Sequence, residues 1–143
     1  MLTIALLAAA GCAPAVEGPG VVVEKAWSRP AAAGGVGGGF AIIENRGKGP
    51  VTVVLITSPQ ADRAEFHQSI EAGGIWSMKD FPNGIVIAPH GKLVLAPGGY
   101  HVMLVGLKAR AEEGQTIPAT LTIRRGATTW TTEVSFAVRA SPP

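Results

Sequence analysis

The sequence predicts an all-β domain, a sandwich with Greek-key connections. Short apolar segments rich in β-branched residues follow one another along the chain, and turns rich in glycine and proline separate them. No window of roughly eleven residues carries apolar side chains at a helical period. The turn signals recur at intervals of roughly 8–12 residues, which is typical of β-sandwiches.

The first predicted strand is Val21–Ser28. It is rich in β-branched residues and ends before Arg29-Pro30, where the proline disfavours further pairing. The glycine-rich segment from Ala31 to Gly39 is predicted to be a connection. Phe40–Glu44 and Val51–Thr57 are predicted to form a hairpin around the turn Asn45–Pro50. The remaining predicted strands are Ala64–Ile70, Ile75–Met78, Ile85–Ala88, Lys92–Leu95, Tyr100–Leu107, Gln115–Arg124 and Thr128–Val138.

The chain has the length of one domain, and its charge is low. A chain of 143 residues can bury one hydrophobic core without disulfides. The formal net charge is +2, charged residues make up 15% of the chain, and the lysines and arginines are scattered. A phosphate-binding surface needs clustered basic residues, so the composition argues against nucleic acid as a partner. The domain is expected to span residues 21–140.

The first residues have the character of a secretory leader. Residues 1–11 are apolar, lack charged side chains and are too few to span a membrane. The residues before Cys12 resemble a bacterial lipoprotein cleavage box, in which Cys12 becomes the lipid-anchored N-terminus. Residues 12–20 then form a flexible tether, because prolines and glycines keep them from folding. The alternative is an unmodified thiol in a cleaved leader. Either way the protein is exported, to the periplasm or the outer face of the cytoplasmic membrane.

Histidine and methionine are concentrated in one part of the sequence. Apart from the initiator, the only methionines are Met78 and Met103, and the window that holds them also holds all three histidines, His67, His90 and His101. Thioether sulfur and neutral imidazole are ligands for Cu(I), whereas Mg²⁺ and Ca²⁺ take oxygen and Zn²⁺ prefers thiolate or imidazole. The window therefore predicts a site for one soft cation, Cu(I).

Strand periodicity links these side chains. His101 and Met103 are two residues apart on one predicted strand, so they lie on the same face and can share a metal. His67 and Met78 flank a Gly-Gly turn, so a hairpin could bring them together at one end of the sandwich. Two nitrogen and two sulfur ligands suit a tetrahedral d¹⁰ ion.

Each of these residues also has an ordinary structural role. Methionine commonly fills gaps in a core and histidine has many uses other than metal binding, so any one of them alone would favour that interpretation. Their concentration favours a metal site. His90 lies in a turn with no second ligand at strand spacing and is predicted to be solvated. Trp76 shares the strand face of Met78 and could shield the metal, although packing in the sheet is the commoner role of an aromatic residue.

The segments that indicate a family are Ala26–Pro30, Thr57–Pro59, Arg63–His67, Met78 and Leu95–Leu107. They resemble the PCuAC family of periplasmic copper chaperones. The Pro-Gly-Gly-Tyr-His-x-Met stretch is the most specific, and the resemblance covers residues 21–138. It implies a cupredoxin-like Greek-key β-sandwich with a His-Met-His-x-Met copper motif. By that resemblance the Cu(I) ligands are His67, Met78, His101 and Met103.

These observations together predict a Cu(I) carrier for an oxidising compartment. Thioether and imidazole do not form disulfides, and a site without cysteine excludes the His₂Cys arrangement of blue-copper electron carriers. The resemblance implies delivery to a copper centre of cytochrome c oxidase, with Sco-type thiol proteins as co-workers. The alternatives are a copper-buffering or resistance protein, and an exported β-sandwich interaction module without metal. No nucleophile motif, paired-carboxylate motif or phosphate-binding loop favours an enzyme.

Overall fold

The structure, a computed structural model, describes residues 19–143. These residues form ten strands, and among them there is no helix that could cross a membrane. The predicted leader and Cys12 lie outside the described residues. The strands are β1 (Val21–Ser28), β2 (Val36–Asn45), β3 (Val51–Thr57), β4 (Ala61–Ala72), β5 (Ile75–Asp80), β6 (Ile85–Ile87), β7 (Lys92–Leu95), β8 (Tyr100–Leu107), β9 (Thr116–Arg125) and β10 (Thr128–Val138).

The strands form one hydrogen-bonded sheet that folds back on itself. Their order is β5-β4-β8-β7-β2-β1-β10-β9-β3-β6, and β8 also pairs with β2. The β1–β10 and β7–β8 pairs are parallel and the others are antiparallel. Strands β3 and β4 are far apart in this order, yet Val54–Ile56 and Ala64–Phe66 line one cavity. The sheet therefore closes into a sandwich, and the predicted all-β class is confirmed.

The core lies between the two halves of the folded sheet. Alternation along the strands places Val102 and Leu104 of β8 inside, together with Ile117 of β9 and Phe136 of β10, and each is less than 2% exposed. Because these side chains come from both halves, each half buries one apolar face against the other. The opposite face of β4 and β8 is left available for polar and sulfur-bearing side chains.

The predicted hairpin between Phe40–Glu44 and Val51–Thr57 is wrong. Strand β2 pairs with β1, β7 and β8, whereas β3 pairs with β6 and β9. The connection crosses from one half of the sandwich to the other, and the fully buried Asn45 holds it there. The Asn45 amide donates to the carbonyls of Gly49, Ile87 and Ala88, and its oxygen accepts from Gly47 N–H and from Arg125.

The glycine-rich segment was predicted to be a connection, but its second half is strand. β2 begins at Val36, and Gly37–Gly39 pair with β8. A Cβ on Gly39 would lie 3.1 Å from the Phe136 ring and 3.3 Å from Val102 Cβ. These glycines therefore serve close packing in a strand rather than freedom in a loop, which a composition argument cannot distinguish.

The β4–β5 hairpin is longer than the predicted segments Ala64–Ile70 and Ile75–Met78. Ala72 pairs with Ile75 across a two-residue turn. Gly73 and Gly74 in that turn have φ values of 62° and 82°. A type I′ turn requires positive φ at both central residues, and glycine adopts it without steric cost. The longer hairpin carries β5 past Met78 as far as Asp80, which lies opposite His67.

Candidate metal centre

The predicted ligands lie on three neighbouring strands, with β4 between β5 and β8. His67 of β4 is directly opposite His101 of β8. Their ring centroids are 5.9 Å apart and the ring planes meet at 69°. The His101 residue is 7% exposed and the His67 side chain is 14% exposed. The sandwich thus brings the two histidines together in a largely dehydrated position.

Met103 lies one step along the same face of β8. It is opposite Glu65 of β4 on one side and Gly38 of β2 on the other. A Cβ on Gly38 would lie 3.1 Å from the Phe40 ring, so that ring lies close over the glycine beside Met103. Met103 is half-buried, and its thioether lies next to the histidine pair by strand alternation.

Met78 lies on the other side of the histidine pair. It is opposite Ser69, two residues beyond His67 on the same face of β4. Diagonal neighbours of this kind have Cβ atoms roughly 7–8 Å apart, within reach of a long side chain. Met78 is 59% exposed, whereas His101 is buried. The four side chains therefore share one face, with a buried histidine at its base and an exposed thioether at its rim.

Hydrogen bonding fixes the tautomer of His101. Its Nδ1 lies 3.0 Å from the Gly99 carbonyl oxygen, which can only accept, so Nδ1 carries the proton. The lone pair then lies on Nε2, which is free for a metal. The same carbonyl accepts from the Ser69 N–H at 3.0 Å, so it joins the β4 backbone to the imidazole. This carbonyl orients the ring in the way that metal-binding histidines are usually oriented.

His67 is oriented by a carboxylate. Its Nε2 lies 3.1 Å from Oε2 of Glu65, and the other oxygen of Glu65 accepts from Arg63 Nε at 2.7 Å. A proton on Nε2 leaves the lone pair on Nδ1, which is buried and has no hydrogen-bond partner within the described residues. A buried nitrogen without a partner is costly unless a ligand uses it. A soft cation would satisfy it.

The separation of the rings fits a shared ion. With a metal–nitrogen distance of about 2.0 Å, a metal lies about 3.2 Å from the centre of each imidazole ring, so two rings on one ion have centroids up to about 6.4 Å apart. The observed separation of 5.9 Å lies within this limit and corresponds to a wide angle between the two rings at the metal. Met78 and Met103 lie on either side of this histidine pair along the strands.

Two carboxylates on this face were missed by the sequence analysis. Glu65 contacts His67, and Asp80 is opposite His67 on β5. Strand periodicity already contained the signal for Glu65, because it precedes His67 by two residues and must share its face. Asp80 could be found only once the hairpin was known to extend past Met78. Both carboxylates add negative charge beside the site, which favours a cation.

Trp76 and His90 lie outside this arrangement. Trp76 is opposite Glu71, one further step beyond Met78, and is 63% exposed. At about 3.4 Å per residue this puts its backbone about 14 Å along the strands from the histidine pair. The predicted shielding of the metal therefore depends on the indole folding back over Met78. His90 lies exposed in the turn after β6, with a φ of 58°.

A family model described as "Putative lipoprotein LpqE-like" matches residues 21–136. The chain belongs to the LpqE-like family. A relative of this chain, "Putative lipoprotein Lxx21020" from Leifsonia xyli subsp. xyli (strain CTCB07), is 38% identical to it over 132 residues. The alignment covers 86% of this chain and 79% of that protein.

The solved structures similar to this LpqE-like chain include PCuAC domains. The "Copper-bound PCuAC domain from PmoF2" has a TM-score of 0.69 at 21% identity. The superposition covers 89% of this chain and 97% of the PmoF2 domain. The "Apo PCuAC domain from PmoF1" has a TM-score of 0.68 at 24% identity, with coverages of 88% and 97%. "CuI-DR1885 from Deinococcus Radiodurans" has a TM-score of 0.61 at 26% identity, with coverages of 82% and 78%. The resemblance to PCuAC is thus confirmed, and so is the cupredoxin-like fold.

Proposed function

We propose that this LpqE-like protein is an exported Cu(I) chaperone, a carrier rather than an enzyme. The observation that carries the proposal is the pairing of His67 with His101 on adjacent strands, with Met78 and Met103 on the same face on either side. These four side chains are the proposed ligands. Two imidazoles and two thioethers form a set that binds Cu(I) well and hard cations poorly.

The comparisons support copper as the cargo. Two of the similar solved structures are described as copper-bound or as the Cu(I) form, those of PmoF2 and DR1885. In this chain the hydrogen bonds engage Nε2 of His67 and Nδ1 of His101, which leaves the other ring nitrogen of each histidine for a metal. The single cysteine of the chain is Cys12, so the domain offers no thiolate to compete for the ion.

The gradient of exposure across the four ligands suits a carrier. Met78 is 59% exposed, so a thiolate or imidazole of a partner can replace it first without opening the fold. His101 lies deepest, at 7% exposure, and is proposed to release the ion last. Stepwise exchange of this kind permits tight binding together with transfer. Thioethers and imidazoles also resist the oxidation that converts paired thiols to disulfides outside the cytoplasm.

We further propose a lipid anchor. In this proposal residues 1–11 are a signal peptide, Cys12 is the lipid-modified N-terminus, residues 12–20 are a tether and residues 21–140 are the copper-binding domain. The family description and the relative from Leifsonia xyli both carry the word lipoprotein, which supports this assignment. The protein then works in the periplasm or at the outer face of the cytoplasmic membrane.

The proposed client is a copper centre of cytochrome c oxidase, reached directly or through a Sco-type thiol protein. Copper moves favourably from thioethers to thiolates, because thiolate is the better donor to Cu(I). The expected result is faster copper transfer when the loaded protein contacts a soluble copper-site domain of the oxidase than when a dialysis membrane separates the two. Equal rates would instead indicate a copper-buffering or resistance protein.

Copper binding itself is tested by titrating the reduced apo-protein with Cu(I) against a competing chelator. One equivalent is expected, and X-ray absorption of the loaded protein is expected to report two nitrogen and two sulfur ligands. Absence of stoichiometric binding would refute both copper functions and leave an interaction module without metal.

A further inference from the structure

The tip of the β4–β5 hairpin is an exposed apolar projection. From Ile70 onward β4 pairs only with β5, because its pairing with β8 ends at Gln68 and Ser69. Ile75 is 73% exposed, Trp76 is 63% exposed and Ile70 is 37% exposed. We call Ile70, Ile75 and Trp76 the hairpin tip. Trp76 faces the same side of the hairpin as Met78 and Glu71, whereas Ile70 and Ile75 face the other side. The hairpin tip therefore exposes apolar side chains on both of its faces, and a folded protein usually covers such side chains with something else.

The strand register puts the hairpin tip at the end of the sandwich where the chain enters β1. Gly39 of β2 and Phe66 of β4 are both opposite Val102 of β8. Strands β2 and β4 run in the same direction, because both are antiparallel to β8. Ala72 lies as far along β4 from Phe66 as Asn45 lies along β2 from Gly39, so Ala72 and Asn45 are at the same end of the sandwich. Asn45 pairs with Val21, the first residue of β1. We call this end the tether end.

The turns at the tether end are basic. Five basic residues and no aspartate or glutamate lie in three turn segments, residues 45–50, 88–92 and 124–128. The basic residues are Arg46, Lys48, Lys92, Arg124 and Arg125. Arg46 pairs with Glu24 and Glu44 on the neighbouring strands. Lys48, Lys92 and Arg124 have no ion-pair partner within residues 19–143. The β8–β9 loop at the opposite end carries Lys108 and Arg110 together with Glu112 and Glu113, so its charges balance.

We propose that the hairpin tip and the basic turns of the tether end rest on the surface of an anionic phospholipid bilayer. The inference depends on the proposed lipid anchor at Cys12. From Cys12 to Gly20 the chain can extend at most about 28 Å, so the anchor holds this end of the domain close to the lipid. Tryptophan is favoured at the membrane interface, and lysine and arginine are attracted to anionic headgroups.

A bilayer fits the hairpin tip better than a second copy of the chain does. Strand β5 is an edge strand, and edge-to-edge pairing is its natural route to self-association. Lys79 and Asp80 on this strand disfavour that route, because charged side chains blunt a sheet edge. Contact with the bilayer would also hold Met78, on the same hairpin, close to the membrane surface. Copper would then be presented to acceptors embedded in that membrane.

The test uses the full lipid-modified chain in vesicles of equal parts phosphatidylglycerol and phosphatidylcholine, with bromine on the acyl chains as a quencher. The signal of Trp76 is the difference in fluorescence between the wild-type protein and Trp76→Ser, which removes the contributions of Trp27 and Trp130. We expect bromolipid to quench Trp76 and aqueous iodide not to reach it. Quenching is expected to weaken in vesicles of phosphatidylcholine alone and in the double variant Lys48→Glu, Lys92→Glu.

Each other outcome has a definite meaning. Quenching of Trp76 by iodide as strong in vesicles as in detergent would overturn the proposal. Protection from iodide without bromolipid quenching would also overturn it, in favour of a protein partner or a second copy. Mass spectrometry of Cys12 tests the anchor separately, and an unmodified Cys12 would overturn anchor and docking together. The Ile75→Ser variant is expected to bind Cu(I) with the wild-type affinity. This titration tests copper binding independently of docking to the membrane.

Discussion

Removal of the Glu65 carboxylate is expected to weaken copper binding without unfolding the domain. Oε2 of Glu65 accepts from Nε2 of His67 at 3.1 Å, which keeps the lone pair on Nδ1. Loss of such an orienting partner usually costs about 10–100-fold in metal affinity. The Glu65 side chain is 39% exposed, and water weakens its interaction, so the lower end of that range applies. Glu65→Ala should therefore lose about tenfold, which corresponds to about 1.4 kcal/mol.

A second variant separates hydrogen bonding from charge. Glu65→Gln keeps an oxygen that accepts from Nε2, but a neutral acceptor forms a bond of roughly half the strength, so the loss should be about threefold. The matched control is Arg63→Ala. The Arg63 side chain is 62% exposed and, within residues 19–143, forms an ion pair only with the other oxygen of Glu65, so its removal should change the affinity by about twofold or less.

The assay is Cu(I) titration of each reduced apo-variant against a competing chelator, with thermal unfolding to show that the folds are intact. Unchanged affinity in Glu65→Ala would refute the role given to Glu65. An equal loss in the glutamine and alanine variants would show that negative charge, rather than the tautomer of His67, governs binding.

Three further predictions concern single residues. Met103→Leu should keep the fold and weaken Cu(I) binding at least tenfold in the same titration, whereas His90→Ala, in an exposed turn, should leave it nearly unchanged; the opposite pattern would mean that the ligands are misassigned. Asn45→Ala should lower the free energy of unfolding by about 3 kcal/mol in a urea titration, since several buried partners lose their hydrogen bonds. Gly39→Ala should cost about 1–3 kcal/mol through contact with Phe136, while Gly49→Ala, where the nearest atom is 3.8 Å away, should cost less; equal losses would contradict this explanation.

Local sequence patterns were sufficient to predict the ends of several strands. Val21–Ser28, Val51–Thr57, Lys92–Leu95, Tyr100–Leu107 and Thr128–Val138 were predicted with the ends that the structure has. Apolar runs between prolines and glycines mark such strands without reference to their neighbours. The shared face of His101 and Met103 also follows from the period of a strand alone.

Partners in the sheet could not be predicted in the same way. The turn Asn45–Pro50 has the composition of a hairpin, yet it joins the two halves of the sandwich because Asn45 is buried and binds the carbonyls of Ile87 and Ala88, at the end of β6. Gly37–Gly39 look like a loop until the side chains that fill the space above them are known. Both errors arise because pairing depends on contacts between residues distant in sequence.

The sequence by itself determined the all-β class, the concentration of histidine and methionine between His67 and Met103, and the soft character of the donors. Only the tertiary structure decided that His67 is opposite His101, that Glu65 and Gly99 select their tautomers, and that Met78 lies at the exposed rim. The physical reason is the separation in sequence between the residues that interact. Donor chemistry and strand period belong to single residues and their near neighbours, whereas the register of β4 against β8 and β5 is set by packing across the whole sandwich.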